Sequence, residues 1–263
     1  MRRLRLLALL VVLAAAGTTV AVIAVHSSHT ITPGCTVTIG TESYDLDLEQ
    51  ASNAATIAAV GTRMGLPDHA VTVAYAAAFQ ESKLLNLPFG DRDSVGLFQQ
   101  RPSQGWGTPA QLLDPSYAAH AFYAKLTTIS GWRTMPIAAA AQKVQRSASG
   151  AAYEQWEPEG RTLARALTGE VPAAFTCQFA DPKRPAATTL SADAARAFGR
   201  PVIGTTLTKQ QCWAAASWIV ANAHDYGVKS VTVDGRTWTN KSTQWRASRP
   251  AAPVVQITRF PQK

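Results

Sequence analysis

Charged side chains are scarce in this chain of 263 residues, at 16% against 46% hydrophobic. A wholly disordered chain needs the reverse balance, so that class is excluded, and so is a collagen-like chain. Cysteine is also sparse. Cys35, Cys177 and Cys212 form no CxxC pair, and His26, His29, His69, His120 and His224 have no metal-ligand spacing. No metal and no cofactor is therefore expected. Internal repeats are absent. Acidic residues thin out along the chain. Residues 1–180 carry 13 Lys/Arg and 13 Asp/Glu, whereas residues 181–263 carry 12 and 4, which is the whole net charge of +8.

What is present begins with an export signal. Arg2, Arg3 and Arg5 precede an uncharged run from Leu6 to Val25, and a positive flank before an apolar stretch marks translocation with the flank left inside. Residues 1–25 read as a signal peptide, with Leu6–Leu13 as apolar core, or as a membrane anchor. The 20-residue run is long enough to cross a hydrocarbon layer of about 30 Å as one helix. Either way the rest of the chain is expected outside the cytoplasm, where thiols pair. A Cys35–Cys177 bridge would tie the two ends of one folded block and leave Cys212 as a small buried hydrophobe. The alternative is three reduced, buried thiols.

Residues 26–41, polar and β-branched with Pro33-Gly34, read as a stalk. Helical signals follow. Asp47 and Gln50 have capping-box spacing, and Gly65 before Leu66-Pro67 is a stop. The next helix, about His69 to Ser82, is almost wholly apolar, which places it centrally in its domain. Further helices are expected at about Tyr117–Leu126, Pro136–Ser147 and Tyr153–Leu167, the last with a break near Pro158. The fold class is therefore mainly α, with an all-α domain over 42–180. Residues 181–190 read as a linker. Residues 191–263 read as a small basic α+β module. It has a helix at Thr208–Tyr226 and a hairpin at Val228–Thr239 turned by Asp234-Gly235, with a last strand at Val254–Thr258.

The chemistry-bearing feature is Glu81. A carboxyl group at the exit of a buried helix is expected in a medium of low dielectric, where desolvation raises its pKa. A protonated Glu beside a groove is the general acid that glycosidic cleavage needs. Glu81-Ser82 is followed at a fixed offset by Gly96-Leu97-Phe98-Gln99, and then by Asp114-Pro115 leading into a helix. This arrangement resembles the lytic transglycosylase and goose-type lysozyme-like superfamily over roughly residues 48–168. Phe98 stands where Met is usual. The segment Gly90–Thr108 is similar to a variant found in exported bacterial wall proteins.

The resemblance implies a lysozyme-like domain that cleaves peptidoglycan between MurNAc and GlcNAc, with Glu81 as general acid and then base. Ser82, Gly96, Leu97, Phe98, Gln99 and Trp106 are expected to contact substrate. The superfamily often has an Ala-Tyr-Asn-x-Gly segment whose Tyr approaches the catalytic Glu. The corresponding Gln142–Ser147 has no Tyr, so Gln145 or Arg146 is expected in its place. A hydrolase needs a second carboxylate, and Asp91 and Asp93 are the nearest candidates. A non-catalytic wall-binding or scaffold protein with the same fold is the alternative.

In the last module Trp213, Trp218, Trp238 and Trp245 occur with Arg236, Lys241, Arg246 and Arg249. Such interleaving can serve nucleic acid, but for an exported chain anionic wall polymers are the expected partners; the alternative is a solvated basic surface over a Trp core. Ser217–Trp238 resembles a module of actinobacterial-type wall proteins, some with carboxypeptidase-like domains. No zinc set accompanies it here, which argues against a peptidase.

Overall fold

The computed structural model describes residues 31–147, 150–180, 182, 190–249 and 253–261. The expected signal peptide or anchor and most of the expected linker lie outside the described residues. No helix among those described is long and apolar enough to cross a membrane.

The order of elements is mixed rather than all-α. Strands β1 (Gly34–Ile39) and β2 (Glu42–Leu46) open the fold. Helices α1 (Leu48–Arg63) and α2 (Asp68–Ser82) follow, then α3 (Pro109–Leu112), α4 (Pro115–Thr127), α5 (Ile137–Gln145), α6 (Ala151–Glu154) and α7 (Glu157–Leu167). Strand β3 (Phe175–Gln178) leads to α8 (Leu190–Phe198), α9 (Lys209–Ala221), α10 (Ala223–Tyr226), β4 (Val228–Val233), β5 (Arg236–Thr239), β6 (Arg246–Ala247) and β7 (Gln256–Arg259).

Two expectations are corrected at once. Much of the segment read as a stalk is strand β1, the centre of an antiparallel sheet ordered β2-β1-β3. The region read as all-α therefore carries a sheet at its margin. The cause is non-local: β1 pairs with β3, far along the chain, with Cys35 directly opposite Cys177. Those cysteines are disulfide-bonded across 142 positions. In the chain-entropy picture a loop of that length stabilises the fold by about 5 kcal/mol. Cys212 is free and buried.

Local signals explain most of the helices. Asp47 and Gln50 form the reciprocal capping box at the start of α1. Thr108 with Gln111, and Thr208 with Gln211, repeat that device at α3 and α9. The break before α7 falls at Gln155-Trp156, with Pro158 inside the first turn of the helix, where its missing N–H costs nothing. Asp234 and Gly235 both take positive φ and turn the β4–β5 hairpin. That hairpin belongs to a second antiparallel sheet, ordered β6-β5-β4-β7.

Helix α2 is the axis of the helical region. Ala70 through Phe79 are all buried, and α1, α4, α5, α6 and α7 pack around it. The C-terminal elements are not held apart from this region. The described residues from Thr32 onward make one compact unit. Helix α9 packs on α1, α7 and β3. Trp238 Nε1 donates to the Cys177 carbonyl at 2.9 Å, and Trp245 Nε1 donates to the Phe175 carbonyl at 2.8 Å. The open edge of β3 is thus closed by two indole N–H groups from the expected accessory module.

Candidate functional site

Glu81 and Ser82 lie in the last turn of α2. The chain leaves this helix through Lys83 and Leu84, both at positive φ. Their N–H groups bond back to Phe79 and Ala78 at 3.1 and 3.3 Å, as in other left-handed helix ends. Helix α1 fixes this exit from outside. Gln50 Nε2 donates to the Lys83 carbonyl at 2.9 Å, and buried Asn53 Nδ2 donates to the Leu84 carbonyl at 2.8 Å. Glu49 Oε1 accepts from the Asn86 N–H at 3.2 Å. The residue pair with the candidate chemistry therefore sits on a clamped turn.

Across from it, Gly96–Gln99 forms a four-residue turn closed by a bridge between Val95 and Gln100. Gly96 is required there. Its φ is 78°, and a Cβ would stand 2.3 Å from the Leu112 carbonyl oxygen. Ser82 Oγ donates to the Leu97 carbonyl at 2.8 Å, which locks the turn to the end of α2. Gln145 Nε2 locks it from α5 by donating to the Phe98 carbonyl at 2.7 Å. The spacing between Glu-Ser and Gly-Leu-x-Gln thus has a direct physical basis: the serine is the tie between the two motifs.

These contacts revise several expected roles. Ser82 is buried and serves the turn. Leu97 and Phe98 do not line a groove, because both side chains are fully buried and Phe98 stacks on Phe122 at 4.7 Å. Gln145 positions the backbone of Phe98. Gln99 remains partly exposed, at a φ of 46°, with Nε2 directed to the carbonyls of Gly96 and Phe89 at 3.1 and 3.3 Å. Trp106 is half-buried against the core, and its carbonyl accepts from Tyr117 Oη at 3.2 Å.

The partner that sequence reasoning missed is Tyr153. Its hydroxyl donates to Glu81 Oε1 at 2.9 Å. Gln145, expected with Arg146 to stand in for an absent Tyr, donates instead to the Phe98 carbonyl. Tyr153 comes from α6, and its ring is buried. Burial, with the Glu81 carboxylate beside it, pushes the phenol well above its usual range. Tyr153 therefore keeps its proton and acts as a donor. The legible signal was the Ala152-Tyr153 pair, eight residues beyond Gln145.

Asp91 and Asp93, the expected candidates for a second carboxylate, make their contacts with Arg92, Arg101 and Ser103. Asp93 accepts from Arg101 Nε at 2.8 Å and from the Ser103 N–H at 2.7 Å. The Arg101 guanidinium, with the Ser103 donors, holds its carboxyl well below the ordinary range. Asp91 is exposed, and its nearest cation is Arg92 at 4.0 Å. A recess of about 510 Å³ between β2 and α7 is lined by Glu42, Glu157, Arg161 and Arg165, not by Glu81. Its arginines are already paired, with Glu157 and Glu170.

The tryptophans of the C-terminal region are structural. Trp213, Trp218, Trp238 and Trp245 are all buried, so none offers a free ring to a polymer. Arg236, Lys241, Arg246 and Arg249 are exposed. Among the described residues, no group of three or more His, Cys, Asp or Glu is placed to hold a metal ion. No protein-family model matches the chain, and no curated protein matches it.

Proposed function

We propose that the protein is an exported lytic transglycosylase, with a lysozyme-like helical domain, that cleaves peptidoglycan strands between MurNAc and GlcNAc. The observation that carries this reading is the Tyr153–Glu81 hydrogen bond at the exit of the buried helix α2. Glu81 protonates the bridging oxygen as the bond to MurNAc C1 breaks. The carboxylate then takes the proton of the MurNAc C6 hydroxyl, whose oxygen closes on C1 as a 1,6-anhydro ring. Tyr153 fixes the carboxyl rotamer and supplies one charge-assisted hydrogen bond when Glu81 is ionised. This route uses one carboxyl group, which suits a site where Asp93 is committed to Arg101 and Ser103. A hydrolase would place a second carboxylate across the scissile bond.

The Cys35–Cys177 disulfide supports an oxidising compartment outside the cytoplasm. In this reading the segment 1–25 exports the chain and either anchors it or is removed. The exposed cations of the C-terminal region hold the enzyme on anionic wall polymers. A non-catalytic wall-binding role rested on a missing tyrosine, and Tyr153 removes that support. The test is incubation with purified peptidoglycan and mass analysis of the soluble muropeptides. Anhydro-MurNAc ends are expected. Reducing MurNAc ends would mean a hydrolase, and no release would favour the scaffold role.

A further inference from the structure

We propose that Phe89 is a substrate-contact residue whose ring packs on the C–H face of a pyranose in the glycan strand bound over Glu81. The inference rests on the proposed glycan-cleaving function and deepens it. Phe89 is 68% exposed, and it is the large hydrophobic side chain left outside the core among the described residues. Single exposed hydrophobics are ordinary on protein surfaces. Phe89 is distinguished by what holds it.

Its loop is tied to the turn that Ser82, the neighbour of Glu81, holds through the Leu97 carbonyl. The Leu87 carbonyl accepts from the Gly96 N–H at 2.7 Å, and the Phe89 carbonyl accepts from Gln99 Nε2 at 3.3 Å. Asn86 Nδ2 anchors the same loop to the Leu113 carbonyl at 2.7 Å. Gly90 allows the close approach of Gln99, since a Cβ there would stand 1.7 Å from Gln99 Oε1. Lys83 and Leu84, which follow Ser82, and Gln99, in the turn that Ser82 holds, all take positive φ. The result is a rigid mount for an aromatic ring that contributes nothing to the core.

The chemistry of the occupant follows from the ring. A phenyl face is negative and apolar, and it complements the polarised C–H groups on the face of a pyranose, whose hydroxyls point outward at the edges. It has no charge with which to select the carboxylates of a peptide stem. Trp106 and Trp156 are aromatics of the same region, but both rings pack against the core, and Trp156 Nε1 also donates to Gln80 Oε1 at 2.9 Å.

The experiment uses the full-length protein carrying Glu81→Gln, so that ligand is not consumed, with a soluble tetramer of alternating GlcNAc and MurNAc as probe. Calorimetric titration compares this protein with the same protein also carrying Phe89→Ala. Affinity is expected to fall about 10-fold with Phe89→Ala and to stay within about 2-fold with Phe89→Tyr or Phe89→Trp. Thermal unfolding should be unchanged in all three, because the side chain is exposed. In the active enzyme Phe89→Ala should raise KM more than it lowers kcat. Equal tetramer binding by the Glu81→Gln and Glu81→Gln/Phe89→Ala proteins overturns the inference and leaves the proposed function standing. Absence of tetramer binding by the Glu81→Gln protein itself overturns both.

Discussion

Helix α2 buries Ala70 through Phe79, and helix α9 buries Cys212 through Ala221. Both are apolar on all sides and both are central to their surroundings. Their ends differ. Helix α2 ends in Glu81, which meets the Tyr153 hydroxyl beside a strained, clamped turn. Helix α9 ends in Asn222, whose Oδ1 accepts from Ser52 of α1 at 2.7 Å and whose Nδ2 donates to the Trp218 carbonyl at 2.8 Å. One end presents a carboxyl group and the other closes a polar tie between helices. Burial of a helix therefore does not assign it a function. What separates these two helices is the last turn: that of α2 carries the carboxyl group of Glu81, and that of α9 carries none.

The largest effect is expected in the C-terminal core. Trp238→Ala removes a fully buried ring and the N–H bond to Cys177, and should cost about 3–5 kcal/mol. Urea unfolding should remain a single transition, because the two regions share a core. A separate early loss of the C-terminal region with the helices intact would make them independent units. Removal of residues 181–263 is for the same reason a poor test of wall binding: it would strip the cover from β3 and α1.

Next in size is Tyr153→Phe. It deletes one hydrogen bond to an ionisable partner, which is worth a loss of about 10- to 100-fold in turnover. Urea unfolding should shift by less than about 1 kcal/mol, because the ring still fills its place. Full activity in Tyr153→Phe would remove the tyrosine from the account.

A pH prediction comes from the opposite end of α2. Burial, with Glu170 beside it, pushes Asp68 up to about 6. The folded state therefore favours the protonated acid, and this contribution to stability is complete below about pH 4 and lost as pH rises through about 6. Glu170, lowered by its bonds to Asp68 and Arg165, acts in the reverse sense, losing its contribution as pH falls below its usual range. Asp68→Asn keeps the neutral form at every pH. Urea midpoints at pH 5 and pH 7.5 should thus differ less in Asp68→Asn than in the wild type, with the gain at pH 7.5. An unchanged difference would mean that the Asp68 proton does not contribute.

The smallest effect is expected at the surface. Replacing Arg236, Lys241, Arg246 and Arg249 by Gln should weaken sedimentation with wall material severalfold in low salt, and little in high salt. Turnover on soluble glycan should hold. Equal sedimentation by wild type and variant would separate the charge of this region from wall retention.

Much of this was legible because it is local. The Asp47–Gln50 box, the Asp234-Gly235 turn and the apolar run into Glu81 are each written within a few residues. The disulfide was legible from compartment and position. What escaped the sequence was long-range. Strand β1 reads as a polar stalk because half of its pairing lies with β3, on the far side of the helical region. Tyr153 lies 72 residues from Glu81, on a four-residue helix of its own. Leu97 and Phe98 looked like groove residues because motif spacing says that a segment is placed, not which way its side chains point. The four tryptophans stood open between a core and a binding surface, because composition cannot show that two of their N–H groups close the edge of β3.

The central claim is that chemistry resides in the Glu81–Tyr153 corner while the C-terminal region is scaffold and retention surface. Its most direct test is muropeptide release from peptidoglycan by wild type and Glu81→Gln, with thermal unfolding measured on both. Glu81→Gln is expected to unfold like the wild type and to lose anhydro-MurNAc products by at least about 100-fold. Equal release by the two folded proteins would contradict it.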